Sequence, residues 1–150
     1  LRTTMIVGHP GEDKRAFKEL LSFVEEARFE RLGAFTYSEE EGTWGASNLK
    51  DTIRNREKQE RYEMLMELQS GISLENNLSR VGSIEKVLID YEDEDVFAGR
   101  SRGESPEVDG EILIGKREMP KGFLTKDIIG TFVDAKIESA GEYDLTARII

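Results

Sequence analysis

The stretch Thr4-Met5-Ile6-Val7-Gly8-His9-Pro10-Gly11-Glu12 is a short apolar run that turns into a loop of glycine and proline. Its first four residues carry no charge, as in a strand that is buried on both faces. The glycines and the proline end the strand, because glycine tolerates backbone angles that other residues avoid and proline lacks an amide donor. The acidic pair Glu12 and Asp13 then favours a helix N-terminus. The loop is not a P-loop, since no Gly-Lys-Ser/Thr sequence follows it.

A helix and a second strand are predicted after this loop. Over Asp13–Arg28 the apolar residues recur at helical spacing, which predicts an amphipathic helix that covers a sheet. Residues Arg31–Tyr37 predict a second short strand, which completes a βαβ unit with parallel strands and a right-handed crossover. Two parallel strands and one helix do not bury both sheet faces. We therefore expect the missing strands to lie upstream or to come from another chain.

The next segment combines a polar loop with a long helix. Residues Ser38–Ser47 are rich in Glu and Gly and predict a loop, in which we expect Trp44 to pack against the domain. Residues Lys50–Leu78 predict a long helix with a largely apolar stripe, made of Tyr62, Leu65, Met66, Leu68, Gln69 and Ile72. Gly71 costs such a helix about 1 kcal/mol relative to alanine, and it predicts a kink or a close helix contact.

From Val81 the pattern changes from helical to alternating. Five short strands are predicted between turn-rich segments, at Ser83–Tyr91, Asp95–Ser101, Glu111–Lys116, Gly130–Ser139 and Asp144–Ile150. Alternation puts Val133, Ala135 and Ile137 on one face. Five short antiparallel strands predict a small closed, OB-like β-barrel, because closure removes exposed sheet edges. The predicted fold class is α/β plus all-β, with domains at residues 1–78 and 79–150.

Composition limits the classes of function. The chain has 150 residues and no cysteine, so it supplies no disulfide and no thiolate ligand for a metal or cluster. No apolar run approaches the roughly 20 residues that a membrane helix needs, and no signal peptide is visible, so we expect a cytoplasmic protein without membrane attachment. The chain begins at Leu1 in mid-pattern, and we expect a fragment of a longer protein.

Both halves of the chain are acidic, which bears on its partners. The formal net charge is −10, and residues 1–76 contribute −4 of it while residues 77–150 contribute −6. Attachment to a phosphate backbone depends on clustered cations, so transfer RNA is the less favoured partner and a basic protein is favoured. The acidic run Glu92–Asp95 is the candidate surface for binding a basic protein. The aromatic residues of the barrel, which would stack on RNA bases, are Tyr91, Phe97, Phe123, Phe132 and Tyr143.

The order of these parts resembles the C-terminal portion of the radical S-adenosylmethionine methylthiotransferases. The similar motifs are Ile6-Val7-Gly8-His9-Pro10-Gly11-Glu12, Phe35-Thr36-Tyr37-Ser38 with Glu41-Gly42-Thr43, Arg100-Ser101, Pro106-Glu107-Val108-Asp109-Gly110 and Tyr143-Asp144-Leu145. The resemblance covers nearly the whole chain. It implies the last two strands of a partial TIM barrel with a linking helix, followed by the small β-barrel called the TRAM domain.

Two motifs distinguish the branches of this family. The version Leu32–Ser38 and the Pro-Glu-Val-Asp-Gly turn are similar to the branch that modifies an aspartate of a ribosomal protein. The alternatives are a fragment of the branch that modifies transfer RNA, or a stand-alone TRAM-type binding module. The oligomeric state stays open.

The resemblance implies radical chemistry in the longer protein. In the family, two cysteine-held four-iron four-sulfur clusters cleave S-adenosylmethionine to a deoxyadenosyl radical, and a methylthio group is inserted at an unactivated carbon. In the ribosomal-protein branch this is the β-carbon of an aspartate in small-subunit ribosomal protein S twelve. Because the cluster cysteines are absent from these 150 residues, we expect the chain to be inactive alone and to hold neither catalytic residues nor metal ligands.

The resemblance also implies a site for S-adenosylmethionine. The family strand that matches Thr4 to Gly8 lines the adenosine side of this cofactor. Strand alternation places Thr4, Ile6 and Gly8 on one face, with Ile6 under the adenine, Thr4 near the ribose and Gly8 allowing close approach.

The second strand is expected to add Phe35 and Tyr37 to the same site. The opposite parity of that strand would present Thr36 and Ser38 instead. The alternative is that these side chains belong to the ordinary hydrophobic core of the partial TIM barrel. His9 stands where the family usually has Phe.

Overall fold

The computed structural model describes residues 1–106, 108–119 and 128–150. The predicted features that fall on other positions, Glu107 of the Pro-Glu-Val-Asp-Gly motif and Phe123, lie outside the described residues. The chain divides into two compact units, Leu1–Ser73 and Leu74–Ile150. Within the described ranges no helix is both long enough and apolar enough to cross a membrane.

The first unit is built on a two-stranded parallel sheet. Strand β1 spans Arg2–Val7 and strand β2 spans Arg31–Thr36, with helix α1 at Lys14–Ala27 between them. The carboxylate of Asp13 caps α1 by accepting the amide of Ala16 at 2.7 Å. The predicted strands, helix and parallel pairing are confirmed, but β1 is not buried on both faces as expected, since Thr4 and Ile6 are exposed.

Three expectations for the next segment are wrong. Helix α2 forms at Trp44–Asn48 inside the predicted loop, because the Thr43 hydroxyl accepts the amide of Ala46 at 3.2 Å and caps it. Trp44 is 71% exposed and does not pack its loop against the described residues as expected. Helix α3 spans Asn55–Leu78, so it begins five residues after the predicted start.

Gly71 lies in α3 and has no close neighbour outside its own helix among the described residues. The glycine is exposed, and a Cβ atom built on it meets no described atom within 4 Å. Of the two predicted possibilities, a kink or a close helix contact, the close contact is therefore absent from the described structure. The buried face of α3 in the first unit instead contains Leu65 and Ile72, which pack with residues of the sheet and of α1: Val7, Phe17, Val24, Leu32 and Ala34.

The second unit contains a closed five-stranded barrel, as predicted. Its strands are β3 Ile84–Glu92, β4 Val96–Arg100, β5 Ile112–Gly115, β6 Phe132–Ala140 and β7 Leu145–Ile149. Around the barrel they follow the order β3-β4-β5-β7-β6, and β6 closes it by pairing with β3. A single 3-10 turn covers Lys116–Glu118.

One pairing differs from the expected antiparallel pattern. Strands β5 and β7 run parallel, whereas the other four neighbouring pairs are antiparallel. The reason is geometric, because a closed ring with an odd number of strands cannot alternate direction throughout. One parallel neighbour is then unavoidable.

The interior of the barrel is a hydrocarbon core. Val133, Ala135 and Ile137 point into it, as the alternation of β6 predicts. The other buried members are Val87, Ile89, Phe97, Ile112, Ile114, Met119, Ile128, Leu145, Ala147 and Ile149.

Candidate functional site

The two-stranded sheet leaves one of its faces uncovered by the described residues. Thr4 pairs with Gly33 and Ile6 pairs with Phe35, and all four residues are exposed. The exposed fraction reaches 56% for Ile6 and 65% for Phe35. Three of the predicted cofactor residues, Thr4, Ile6 and Phe35, thus share one open face with an apolar centre.

The other two predicted residues lie where the strands end. Gly8 is buried, with a φ of 75° that favours glycine. A Cβ atom there would overlap the Lys58 side chain. Tyr37 continues β2, since its amide donates to the carbonyl of Val7 at 2.8 Å, and its ring meets the ring of His9 edge-on with centroids 4.9 Å apart.

A buried lysine from α3 joins these strand ends. Lys58 is 3% exposed, and its Nζ donates to the carbonyl of Tyr37 at 3.1 Å and pairs with Asp51. The same ammonium lies 5.1 Å from the centroid of the Tyr37 ring, within the range of a cation–π contact. The hydrogen bond from Lys58 lowers the pKa of Asp51.

A buried arginine one turn further along α3 holds the loop after β1. Nη1 of Arg61 donates to the carbonyl of Glu12 at 2.8 Å and pairs with the Glu12 carboxylate, while Nη2 donates to Glu57 at 2.7 Å. The other carboxylate oxygen of Glu12 accepts the amide of Gly8 at 3.1 Å. Burial lowers the pKa of Arg61, but the hydrogen bonds with Glu12 and Glu57 outweigh it and the pKa is raised.

The sequence analysis did not identify these two buried cations. Its predicted stripe on α3 kept to apolar residues and Gln69. A signal was present, since Lys58, Arg61, Leu65 and Ile72 recur at helical spacing and therefore share a face. A buried Arg or Lys at such a position requires acidic or carbonyl partners. Glu12 and Asp51 are those partners, and the fold alone brings them close.

The described residues contain no group of three or more His, Cys, Asp or Glu side chains that could hold a metal ion. The donors of this chain therefore do not fit an iron–sulfur cluster, which requires cysteine thiolates. The open face with Ile6 and Phe35 does fit the apolar side of a nucleoside.

On the barrel, the acidic run Glu92–Asp95 connects β3 to β4. Lys116 partly neutralises it, because its Nζ lies 2.7 Å from the Glu92 carboxylate and donates to the carbonyl of Glu94 at 3.0 Å. Next to this run, the hydroxyl of Tyr91 donates to Glu111 at 2.8 Å, and this hydrogen bond raises the pKa of Tyr91. The loop is a strongly acidic surface with an exposed aromatic side chain beside it.

Two motifs that are distant in sequence meet on the barrel. A Cβ atom at Gly110 would overlap the backbone of Tyr143, and the amide of Glu111 donates to the carboxylate of Asp144 at 2.8 Å. The side chain of Asn77 holds the same loop from the other side, since its amide donates to the carbonyls of Gly141 at 3.0 Å and Glu142 at 3.2 Å. The glycine of the first motif is thus required by the loop that carries the second.

A charged cluster fixes the Arg100-Ser101 motif. Glu104 accepts hydrogen bonds from the amide of Ser101 at 2.9 Å and its hydroxyl at 2.8 Å, and from Arg80 at 2.6 Å. Arg80 also pairs with Glu85 at 2.8 Å. Burial raises the pKa of Glu104, but the bonds from Arg80 and Ser101 prevail and lower it; the bond from Arg80 lowers the pKa of Glu85.

Comparison with known proteins agrees with this architecture. The TRAM domain family matches residues 81–150, which contain the closed barrel. The class that the fold defines is therefore a TRAM-containing protein with an α/β segment before the barrel.

The whole chain is also similar to curated relatives named "Ribosomal protein uS12 methylthiotransferase RimO". The relative from Parabacteroides distasonis is 45% identical over 150 residues, with 100% of this chain and 33% of the relative covered. The relative from Cytophaga hutchinsonii is 47% identical over 149 residues, covering 99% and 32%. The relative from Bacteroides thetaiotaomicron is 44% identical over 151 residues, covering 100% and 33%.

The chain belongs to this methylthiotransferase family, as the motif resemblance predicts, and it spans about a third of the length of these relatives.

Proposed function

We propose that this chain is the C-terminal part of an enzyme that adds a methylthio group to the β-carbon of an aspartate in small-subunit ribosomal protein S twelve. The observation that carries the proposal is the identity of 44–47% over the whole chain to relatives that are named as methylthiotransferases of ribosomal protein uS12. The two-domain division proposed from the sequence, residues 1–78 and 79–150, assigns the cofactor to the first part and recognition of the protein substrate to the second.

The first part would supply one wall of the S-adenosylmethionine site. The proposed contacts are Ile6 and Phe35 with the adenine, Thr4 with the ribose, and Gly8 and Tyr37 at the strand ends. The open apolar face supports this assignment, since Ile6 and Phe35 pair directly across the two strands and remain exposed. Ligands of parallel α/β sheets bind at the carboxyl ends of the strands, where Gly8 and Tyr37 lie.

The remaining cofactors would be held outside these residues. The two four-iron four-sulfur clusters would supply the radical chemistry on S-adenosylmethionine; they need cysteine thiolates, and this chain contains none. We therefore expect the chain alone to bind neither cluster and to be inactive, with the cluster ligands in the upstream two thirds of the enzyme.

The second part would recognise a basic protein. Residues 77–150 carry a net charge of −6, and the run Glu92–Asp95 is exposed on the barrel. The negative charge of this part repels a nucleic-acid backbone and attracts a cationic protein. This attraction weakens as the salt concentration rises. The proposed localisation, in the cytoplasm with the ribosome, follows from this substrate.

The decisive experiment is a chimeric enzyme in which this chain replaces the matching third of the Parabacteroides distasonis relative. After anaerobic cluster reconstitution, the chimera is incubated with S-adenosylmethionine, a sulfide source, a low-potential reductant and either ribosomal protein uS12 or transfer RNA, and both are analysed by mass spectrometry. Modification of uS12 supports the proposal. Modification of transfer RNA, or of neither substrate while the unaltered relative is active, contradicts it.

The role of the acidic run is tested by binding. Fluorescence anisotropy with uS12 at two salt concentrations compares a variant that neutralises Asp93, Glu94 and Asp95 with one that neutralises Glu39, Glu40 and Glu41. Each variant removes three negative charges, but the second does so in the first unit. We expect weaker, less salt-sensitive binding only in the first variant; equal losses would mean that net charge alone attracts the protein.

A further inference from the structure

Two buried cations of α3 lie at the functional edge of the sheet in the first unit. Lys58 is 3% exposed and Arg61 is 6% exposed. Charged side chains are rarely buried to this degree unless they are paired, and breaking such a pair leaves an uncompensated charge. Their hydrogen-bond and ion-pair partners lie in the loop after β1, just after β2, in the segment between α2 and α3, or on α3 itself.

Lys58 joins the ends of both strands. Its hydrocarbon stem occupies the space that a side chain at Gly8 would need, and its ammonium donates to the carbonyl of Tyr37 at 3.1 Å. Asp51 balances the charge. One side chain therefore contacts both the β1 end and the β2 end.

Arg61 fixes the loop after β1 through Glu12, whose carboxylate also accepts the Gly8 amide. It binds both the carbonyl and the carboxylate of Glu12, and the same carboxylate accepts the Gly8 amide at 3.1 Å. Gly8 and Gly11 both have positive φ, at 75° and 92°, which are angles that an unanchored glycine leaves readily. The guanidinium also lies 5.4 Å from the ring centroid of Phe17, so it ties the loop to α1.

We infer that Lys58 and Arg61 are positioning residues of the S-adenosylmethionine site, which they shape through Gly8, Glu12 and Tyr37 without touching the cofactor. The inference rests on the proposed function. Both cations are enclosed by protein and engaged with the loops, so their effect on a ligand must pass through loop geometry. The anchored loops carry Gly8 and Tyr37 at the proposed site, so a shift of these loops should weaken binding of the cofactor, and the anchors can be tested by its affinity.

The test uses the chimeric enzyme with Lys58→Met and Arg61→Met. The matched control is Arg56→Met, because Arg56 is also on α3 and also pairs with a glutamate four residues on, at 2.8 Å, but its side chain is 90% exposed. Lys58→Arg is the rescue variant, since it keeps the stem and the positive charge. A second, milder variant, Glu12→Gln, keeps an acceptor for the Gly8 amide and removes the charge that Arg61 neutralises.

The measurements are the Kd of S-adenosylmethionine and the separate values of kcat and KM, taken well below the melting midpoint of every variant. We expect the methionine variants to raise Kd and KM about 10- to 100-fold with little change in kcat. Arg56→Met should match the wild type, Lys58→Arg should recover most of the affinity, and Glu12→Gln should fall between. Partial unfolding would instead reduce the amount of active enzyme, and so kcat, without changing KM.

Two failures are distinguishable. A wild-type chimera that does not bind S-adenosylmethionine, although the unaltered relative does, would overturn the proposed function and this inference with it. A wild-type chimera that binds, with variants of unchanged Kd or with losses confined to kcat, would overturn the inference alone. If the methionine variants do not fold, Glu12→Gln decides, and an unchanged Kd in that variant is also contrary to the inference.

Discussion

The two units stabilise their sheets in opposite ways. In the first unit the parallel strands bury one face under helices and leave Ile6 and Phe35 exposed on the other. In the second unit the sheet closes on itself, so every strand has two neighbours and the inner face is fully apolar. An exposed apolar sheet face is typical of a surface that contacts another segment or molecule, whereas a closed barrel has no unpaired strand edge.

Buried charge is also used differently in the two units. In the first unit Lys58 and Arg61 reach loop carbonyls and carboxylates at the carboxyl end of the sheet. In the second, Arg80 and Glu104 form a compact cluster with Ser101 at the start of the barrel. The first arrangement anchors the loops at the carboxyl end of the sheet, and the second fastens a turn.

The sharpest test of this comparison removes the same side chain from each kind of face. Ile137→Ala empties a fully buried site of the barrel and should cost about 2–5 kcal/mol of unfolding free energy. Ile6→Ala, at a site that is 56% exposed, should cost less than about 1 kcal/mol. Urea unfolding of the chain measures both. Equal losses would mean that the Ile6 face is buried in solution and the contrast fails.

The charged cluster of the barrel should show a pH-dependent contribution. Glu104→Gln should cost about 2–3 kcal/mol at neutral pH, because it removes a buried carboxylate and leaves the partly buried Arg80 with a weaker partner. The pKa of Glu104 is lowered in the folded protein, so the stabilisation is present above its unfolded value, near 4.5, and is lost as pH falls through the lowered folded pKa.

This dependence is measured by thermal unfolding of the wild type and of Glu104→Gln between neutral pH and about pH 3. The two melting midpoints should converge only on the acidic side. A constant difference across that range would show that the ionised form of Glu104 contributes nothing specific. Glu138→Gln is the control, since Glu138 pairs with Arg148 at a more exposed position.

The smallest expected change in the free energy of unfolding is an increase in stability, unlike the losses above. Gly71→Ala should stabilise the chain by up to about 1 kcal/mol, because the position is helical, exposed and free of neighbouring atoms among the described residues. Gly110→Ala should destabilise it, since the new methyl group would overlap the backbone of Tyr143. Denaturant midpoints of the two variants give the comparison, and a loss of stability in Gly71→Ala would indicate a hidden contact at that helix face.

Local periodicity accounts for how much of the fold was predictable. The five barrel strands were predicted to within two residues, because short strand-like runs are bounded by turn residues and the alternation is clear in β6 and β7. The βαβ unit was predicted from two short strand-like runs that flank a segment with apolar residues at helical spacing. Helix α2 was not, since its five residues are too few for a periodic signal and depend on the cap from Thr43.

The candidate site was only partly predictable. Alternation correctly grouped Thr4 with Ile6, and the register then paired Ile6 with Phe35; their role in binding the cofactor stays a prediction. Lys58 and Arg61 were not foreseen, because a basic residue in an isolated helix pattern indicates solvent. They are buried because the fold brings them next to partners that lie 21 and 49 residues away in the sequence.

The sequence by itself determined the order of strands and helices, the inward positions of the barrel and the family to which the chain belongs. These properties depend on residues that are close along the chain, or on the motifs themselves. The tertiary structure decided which charges are buried, why Gly8 and Gly110 have no room for a side chain, and that β5 and β7 run parallel. Each of these depends on atoms that are distant in sequence, and only folding brings them within contact distance.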